Sequence, residues 1–115
     1  MNIQIRWNGI KKSEALEEYV IRRAGLALDR IASRIRRVVV RFEDLNGPKG
    51  GVDKCCRVEL TGDFGVRVAE TRDVDFHAGA DRALSIASRA VIRVLRRPID
   101  RRGDGFEARE EESDS

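Results

Sequence analysis

Residues 75–97 constrain the fold more than any other stretch, because an apolar and a basic pattern run through them together. Apolar residues recur there every three or four positions, the spacing that places them on one buried side of an α-helix. We therefore predict a helix that begins with Asp73 or Asp75 as its cap and is stopped by Pro98. Its buried face is predicted to consist of Phe76, Ala80, Ala83, Leu84, Ala87, Ala90, Val91 and Val94.

The same stretch carries a second stripe, made of arginines. At about 100° per residue the four stripe residues fall within roughly 60° of one another, and about 140° from the centre of the apolar face. Asp81 is the only acid between Phe76 and Arg97, so this face is almost purely basic. We expect a helix that packs on a core and presents positive charge to a partner. The stripe consists of Arg82, Arg89, Arg93 and Arg96.

An earlier part of the chain predicts a strand and then a helix with the same arginine spacing. Residues 2–7 alternate apolar and polar side chains, which is typical of a half-buried strand. Ser13 is the predicted N-cap of a helix that extends to about Ile35. The first arginine stripe in chain order lies along this helix and its end, and it consists of Arg23, Arg30, Arg34 and Arg37.

Three further strands complete the predicted fold. Residues 38–45 contain three consecutive valines, which favours a central strand, and the glycine-rich residues 46–54 predict a loop. Residues 55–61 and 66–71 alternate around a Gly-Asp-Phe-Gly turn and predict a hairpin. The order β-α-β-β-β-α predicts an α+β fold, a four-stranded mixed sheet with two parallel helices packed on one face.

Charge is distributed unevenly, and this predicts the domain boundary. Residues 103–115 contain six acids and one base, whereas residues 1–102 contain 22 bases and 14 acids, a net charge of +8. We predict one basic domain over residues 1–102 and an acidic disordered tail over residues 103–115. The basic domain favours a polyanionic partner, and nucleic acid ahead of a membrane surface.

The sequence does not indicate an enzyme, a metal site or a cofactor. His77 is the only histidine, and no serine or cysteine stands near it at a recognisable catalytic spacing. Cys55 and Cys56 lack the second pair of ligands that zinc needs, and as neighbours in a strand they face opposite sides of the sheet. With no membrane-spanning run and no signal-peptide core, we expect a cytoplasmic protein without a small-molecule substrate, monomeric when free.

The two arginine stripes and the nearby lysines form the predicted RNA-binding surface. A single exposed arginine is usually just solvated, but the same spacing on two helices favours a binding surface. Aromatic residues do not gather on one strand face, which disfavours recognition of unpaired bases and favours phosphates of folded RNA. The predicted set is Arg23, Arg30, Arg34, Arg37, Arg82, Arg89, Arg93, Arg96, Arg97, Lys11, Lys12, Lys49 and Lys54.

The strand order, together with the segment DVDFHAGADRAL at residues 73–84, resembles the hibernation-promoting factor family of ribosome-associated proteins. Asp75, Ala78 and Asp81 match the spacing of the motif that opens the family's second helix. The resemblance covers about residues 1–98. The family's long forms carry a second, dimerising domain, so we expect this chain to be similar to the short forms.

The resemblance implies a ribosome-associated translation inhibitor that acts by occupancy. Family members bind the small ribosomal subunit in the channel used by mRNA and tRNA, in starved or resting cells. Arg89 and Arg93 fall where the family is basic, which implies contact with small-subunit rRNA. His77 stands where the family usually has tyrosine, so a phenolic contact there is not expected. The residues alone leave two alternatives open, a general double-stranded RNA-binding module and a basic adaptor for an acidic protein.

Overall fold

The computed structural model describes residues 1–45, 53–96 and, for the backbone alone, 107–111. A short 3₁₀ helix, Asp29–Arg34, lies between the first helix and the second strand. The regular elements in chain order are β1 (Asn2–Asn8), α1 (Glu14–Ala27), β2 (Ile35–Asp44), β3 (Lys54–Gly62), β4 (Gly65–Asp73), α2 (Phe76–Arg96) and β5 (Glu107–Glu111).

The sheet has the order β1-β2-β3-β4-β5. β1 runs parallel to β2, and the β2-β3-β4 pairs are antiparallel, so the predicted four-stranded mixed sheet is confirmed. β5 adds a parallel strand beside β4 within the region where we predicted no regular structure. Four of its five residues are charged, so this edge strand lacks the alternation of apolar and polar residues by which a strand is predicted from sequence. The division at residue 102 into a domain and a tail stays a prediction.

The two helices are parallel and pack on one face of the sheet. Tyr19 of α1 bonds to Asp81 of α2, and further along Ala27 accepts a hydrogen bond from Ser88. Because the residue numbers of the contacts increase along both helices, the helices run in the same direction, as predicted. Phe42 is fully buried beneath them, with the ring of Trp7 stacked at 5.2 Å between centroids and the ring of Phe76 edge-on at 5.2 Å.

The predicted helix starts are confirmed. Ser13 Oγ accepts a hydrogen bond from the Leu16 N–H at 3.2 Å, and Asp75 Oδ2 accepts one from the Ala78 N–H at 3.2 Å. Partial burial alone raises the pKa of Asp75, but the N–H groups of Ala78 and His77 stabilise the carboxylate and lower that pKa overall. Asp73 turns the chain just before α2 by accepting from two successive backbone N–H groups.

The end of the first helix was predicted wrongly. The α-helix ends at Ala27 instead of near Ile35, and the chain tightens into the 3₁₀ helix before β2 begins. Leu28 and Ile31 are buried three residues apart, a spacing that one turn of either helix type satisfies. The apolar pattern therefore continues through the change of geometry, and hydrophobicity alone does not reveal it.

Cys55 and Cys56 lie on opposite sides of β3, as predicted, but both are buried. Cys56 belongs to the core, and burial raises the pKa of its thiol. On the other face, burial and the nearby Glu70 carboxylate raise the pKa of Cys55 to about 11. Across the described residues no helix has the length and apolar character to cross a membrane, and no cluster of three potential metal ligands is found.

Candidate nucleic-acid interface

The C-terminal half of α2 presents three exposed arginines of the predicted set. Arg89, Arg93 and Arg96 are exposed, and with Ile92 they line a shallow groove of about 280 Å³. Arg89 Nη1 donates to Ser85 Oγ at 2.6 Å, one turn back along the helix, which orients its guanidinium without neutralising it. We call Arg89, Arg93 and Arg96 the α2 cluster.

Two features of α2 position this cluster. Its three residues span seven positions, or about 10 Å of helix, so their guanidinium groups can contact neighbouring phosphates. Arg93 and Arg96 also lie in the last turn of the helix, where the negative end of the helix dipole favours cations. These two arginines therefore stabilise the helix end in the free protein and present positive charge there.

Arg82 belongs to the same stripe but has a structural role. Its Nη1 atom donates to Asp73 Oδ2 at 2.8 Å, and its side chain is 29% exposed. This ion pair ties the first turns of α2 to the end of β4. Arg82 is thus held by an acid of its own chain, whereas the α2 cluster is exposed.

The α2 cluster lies about 100° around the helix axis from the side that contacts α1. Asp81 and Ser88 of α2 hydrogen-bond to α1. Each directly precedes a stripe residue, Arg82 or Arg89, and consecutive residues differ by about 100° around the axis. The basic face of α2 therefore does not enter the groove between the helices.

The groove between the helices contains a bonded network that the sequence did not reveal. Tyr19 Oη donates to Asp81, with oxygen–oxygen distances of 2.8 and 3.0 Å, and Arg23 Nε donates to Asp81 Oδ1 at 3.1 Å. The hydrogen bond to Asp81 is the main reason that the pKa of Tyr19 is raised. The His77 ring packs edge-on against Tyr19 with 4.7 Å between centroids. Tyr19 and Arg23 stand four residues apart on one helix face, but their acidic partner Asp81 lies 62 and 58 positions away, respectively.

The arginines predicted to continue the first stripe do not share one helix face. Arg30 is exposed on the 3₁₀ helix, and Arg34 from the same element pairs with Asp63 of the β3–β4 turn at 2.8 Å. Arg37 lies in β2, next to the inward-facing Val38, so it projects from the face opposite the helices. The early end of α1 is the cause, because the α-helical spacing no longer applies beyond Ala27.

The predicted lysines fall into separate places. Lys11 is exposed, and Lys12, also exposed, lies 3.5 Å from Glu17. Lys54 begins β3 and contacts Asp44 at 3.0 Å and Asp53 at 3.3 Å, and the bond to Asp44 is the main reason that its pKa is raised. Two further predicted residues lie outside the described parts of the chain, Lys49 and Arg97.

Comparisons with known proteins agree with the fold. The family model described as sigma 54 modulation protein / S30EA ribosomal protein matches residues 3–98. A ribosomal subunit interface protein from Coxiella burnetii has a similar structure, with a TM-score of 0.69 and 16% identity over 83% of this chain and 98% of that one. The N-terminal domain of Protein Y from Thermus thermophilus gives a TM-score of 0.66 and 23% identity, covering 81% of this chain and 98% of that one.

Both structural likenesses are below 25% identity, so they establish the fold and not a shared activity. No curated protein matches the chain by sequence. The family model, by contrast, spans most of the chain and includes both helices and the first four strands. The chain belongs to the sigma 54 modulation protein / S30EA ribosomal protein family.

Proposed function

We propose that this protein binds rRNA of the small ribosomal subunit and inhibits translation by occupying the channel used by mRNA and tRNA. The observation that carries this proposal is the α2 cluster, three exposed arginines on a helix with no acid after Asp81. Family membership supports a ribosomal partner, and a structural relative is described as a ribosomal subunit interface protein. The protein acts in the cytoplasm as a monomer until it binds, and it carries out no chemical step.

The chemistry of the α2 cluster favours phosphate groups over bases. Guanidinium groups bind phosphate oxygens in a bidentate way and remain charged at every physiological pH. Ile92, the other residue that lines the groove, offers no ring for a base to stack on. Affinity should therefore come mainly from counterion release and decrease steeply with salt.

A general double-stranded RNA-binding module is the second candidate, and the same cluster supports it. Arg89, Arg93 and Arg96 read charge and shape, and neither depends on the base sequence of a duplex. A competition experiment with free duplex RNA distinguishes the two functions. A ribosome-specific protein keeps its affinity for the small subunit when free duplex RNA is in excess, and a general binder loses it.

Charge reversal of the α2 cluster tests the proposed function. We expect R89E/R93E to weaken binding to purified small subunits by at least roughly tenfold, since each phosphate contact contributes both affinity and salt dependence. Both side chains are exposed, so the circular dichroism spectrum should stay near that of the wild type, and the glutamate in the last turn of α2 should lower the thermal midpoint only slightly. Binding is measured by co-sedimentation at low and intermediate salt.

A variant with the same change in charge provides the control. Arg22 of α1 and Arg36 of β2 are exposed and lie outside the predicted set, so R22E/R36E should retain affinity within about twofold of the wild type. A folded R89E/R93E protein that binds as tightly as this control would contradict the proposed function.

A further inference from the structure

The face of the sheet that points away from the helices carries a second set of arginines. Side chains alternate along β2, and Val38, Val40 and Phe42 point into the core. Arg41 therefore projects from the opposite, outer face, and it is exposed there although Val39, Cys55 and Val68 on the same face are buried. The strand register places Arg6 beside Arg41 and Arg41 beside Arg57. These three residues cross three adjacent strands in one line, which we call the arginine row.

The arginine row is unfavourable for the isolated protein. Neighbouring strands are about 4.8 Å apart, so the three Cα atoms span only about 10 Å. Like charges directly opposite each other on a sheet are destabilising. Arg6 and Arg41 are exposed and Arg57 is partly buried, so solvent screens part of this repulsion. Within the described parts of the chain, Arg6 Nη2 has one hydrogen-bond partner, the neutral Gln4 Oε1, at 3.0 Å.

Acidic residues on this face do not interrupt the row. Glu70 is in register with Arg57 at the row's far end, where it also accepts a weak hydrogen bond from Cys55 Sγ at 3.6 Å. Glu59 is in register with Val39 and Val68, one row away.

Glu43 lies outside the arginine row, in the neighbouring cross-strand line on the opposite side from Glu59, where it is in register with Asn8 and Cys55. Within the part of the chain that the structure describes, the side chains of Arg41 and Arg57 make no hydrogen bond or ion pair. Among the described residues, Arg41 and Arg57 at the centre of the row thus have no direct acidic partner.

We propose that the arginine row binds the phosphodiester backbone of an RNA segment, as a second surface separate from the α2 cluster. A backbone that crosses the strands at this point would place phosphates against guanidinium groups whose spacing the sheet fixes. Among the described residues, the outer face of β1 to β4 holds no aromatic ring, because Trp7 and Phe42 both pack on the core side. Base stacking is therefore not available, and recognition depends on the backbone.

Two basic surfaces on opposite sides of the sheet allow one protein to contact two RNA segments at once. The helices and the α2 cluster lie on one side, and the arginine row lies on the other. The row holds or fails independently of the helix-side proposal, because neither surface shares a residue with the other.

The substitution R41E tests the row, in a protein that already carries R89E/R93E so that the α2 cluster no longer contributes. The probe is a fluorescently labelled 16-base-pair RNA duplex, and anisotropy is measured over a salt series. We expect R41E to weaken the remaining affinity roughly tenfold at low salt and to reduce the slope of log affinity against log salt by about one. R22E in the same background is the matched control and should change the affinity less than about twofold.

R41E should not lower the stability of the fold, because a glutamate at this position lies between Arg6 and Arg57 and can pair with both. A thermal midpoint equal to or above that of the parent is therefore expected. Equal effects of R41E and R22E would overturn the inference, as would an R89E/R93E protein with no RNA affinity at low salt. If polyglutamate of matched charge bound as tightly as the RNA and lost as much affinity with R41E, the row would be a surface for acidic protein instead.

Discussion

Asp81 determines how much positive charge the helices leave open between them. Its carboxylate accepts hydrogen bonds from both Tyr19 and Arg23, so the arginine predicted to start the first RNA-binding stripe already has an acidic partner. Arg89, which bonds to the neutral Ser85 hydroxyl, keeps its full charge. Similar spacing in the sequence thus gives one arginine that ties two helices together and another that faces solvent.

The Tyr19 hydroxyl gives a pH-dependent test of this network. We expect Y19F to lower the free energy of unfolding by about 0.5–1 kcal/mol at pH 7, a small value because the hydrogen bond is only part-buried. The bond to Asp81 raises the pKa of Tyr19 in the folded state above its ordinary value of 10.0, so its contribution is complete below pH 10. As pH rises through the folded-state pKa, tyrosinate forms beside the Asp81 carboxylate and the contribution is lost.

Urea unfolding of the wild type and Y19F at pH 7 and pH 10.5 measures the effect. The difference between the two proteins should be smaller at the higher pH. A difference that stays constant or grows with pH would contradict a stabilising hydrogen bond from the Tyr19 hydroxyl to Asp81, because Y19F keeps the ring and its contact with His77.

At the scale of elements, the sequence predicts those parts whose signal is local. The alternation in β1 and in the β3–β4 hairpin, and the caps Ser13 and Asp75, are each formed by neighbouring residues, and these predictions are confirmed. The change from α1 to the 3₁₀ helix depends on where β2 must pair, which is tertiary information. Ile35 is in register with Gly62, 27 positions later, and that pairing ends the helical segment.

A pair of glycine substitutions tests this account of the elements. A methyl group at Gly62 would overlap the Arg34 carbonyl oxygen and the Phe64 ring, so G62A should destabilise the protein by about 1–3 kcal/mol. Gly25 in α1 has open space around it, so G25A should stabilise the protein by about 0.5–1 kcal/mol through helix propensity.

Both changes are measured by urea unfolding at neutral pH, and G25A serves as the control for the added methyl group. A G62A protein as stable as the wild type would contradict the close contact between the 3₁₀ helix and the hairpin turn.

The candidate site could be predicted only in part from the sequence, because part of it depends on tertiary contacts. The stripe on α2 is contained in one helix, and α-helical geometry correctly places Arg89, Arg93 and Arg96 on one exposed face. The arginine row joins three strands that are far apart in the chain, and only their register brings them together. Each of its members alternates with apolar residues, a signal that assigns it to the outer face of its own strand but not to the row.

At the scale of the whole molecule, the sheet separates two positively charged surfaces. The α2 cluster lies on the helix side, and the arginine row lies on the open side. An RNA-binding protein that only needed to attach to a polyanion would require one such surface. Two opposed surfaces suit a position between RNA segments, which agrees with the proposed place in a ribosomal channel.

The most direct test of the central claim is co-sedimentation of the wild-type protein with purified small ribosomal subunits over a salt series, with free duplex RNA as competitor. We predict saturable binding that weakens as salt increases, by a slope of about 0.7–0.9 for each phosphate contacted, and that resists an excess of duplex. Absence of binding at low salt, or complete displacement by the duplex, would contradict a function on the ribosome.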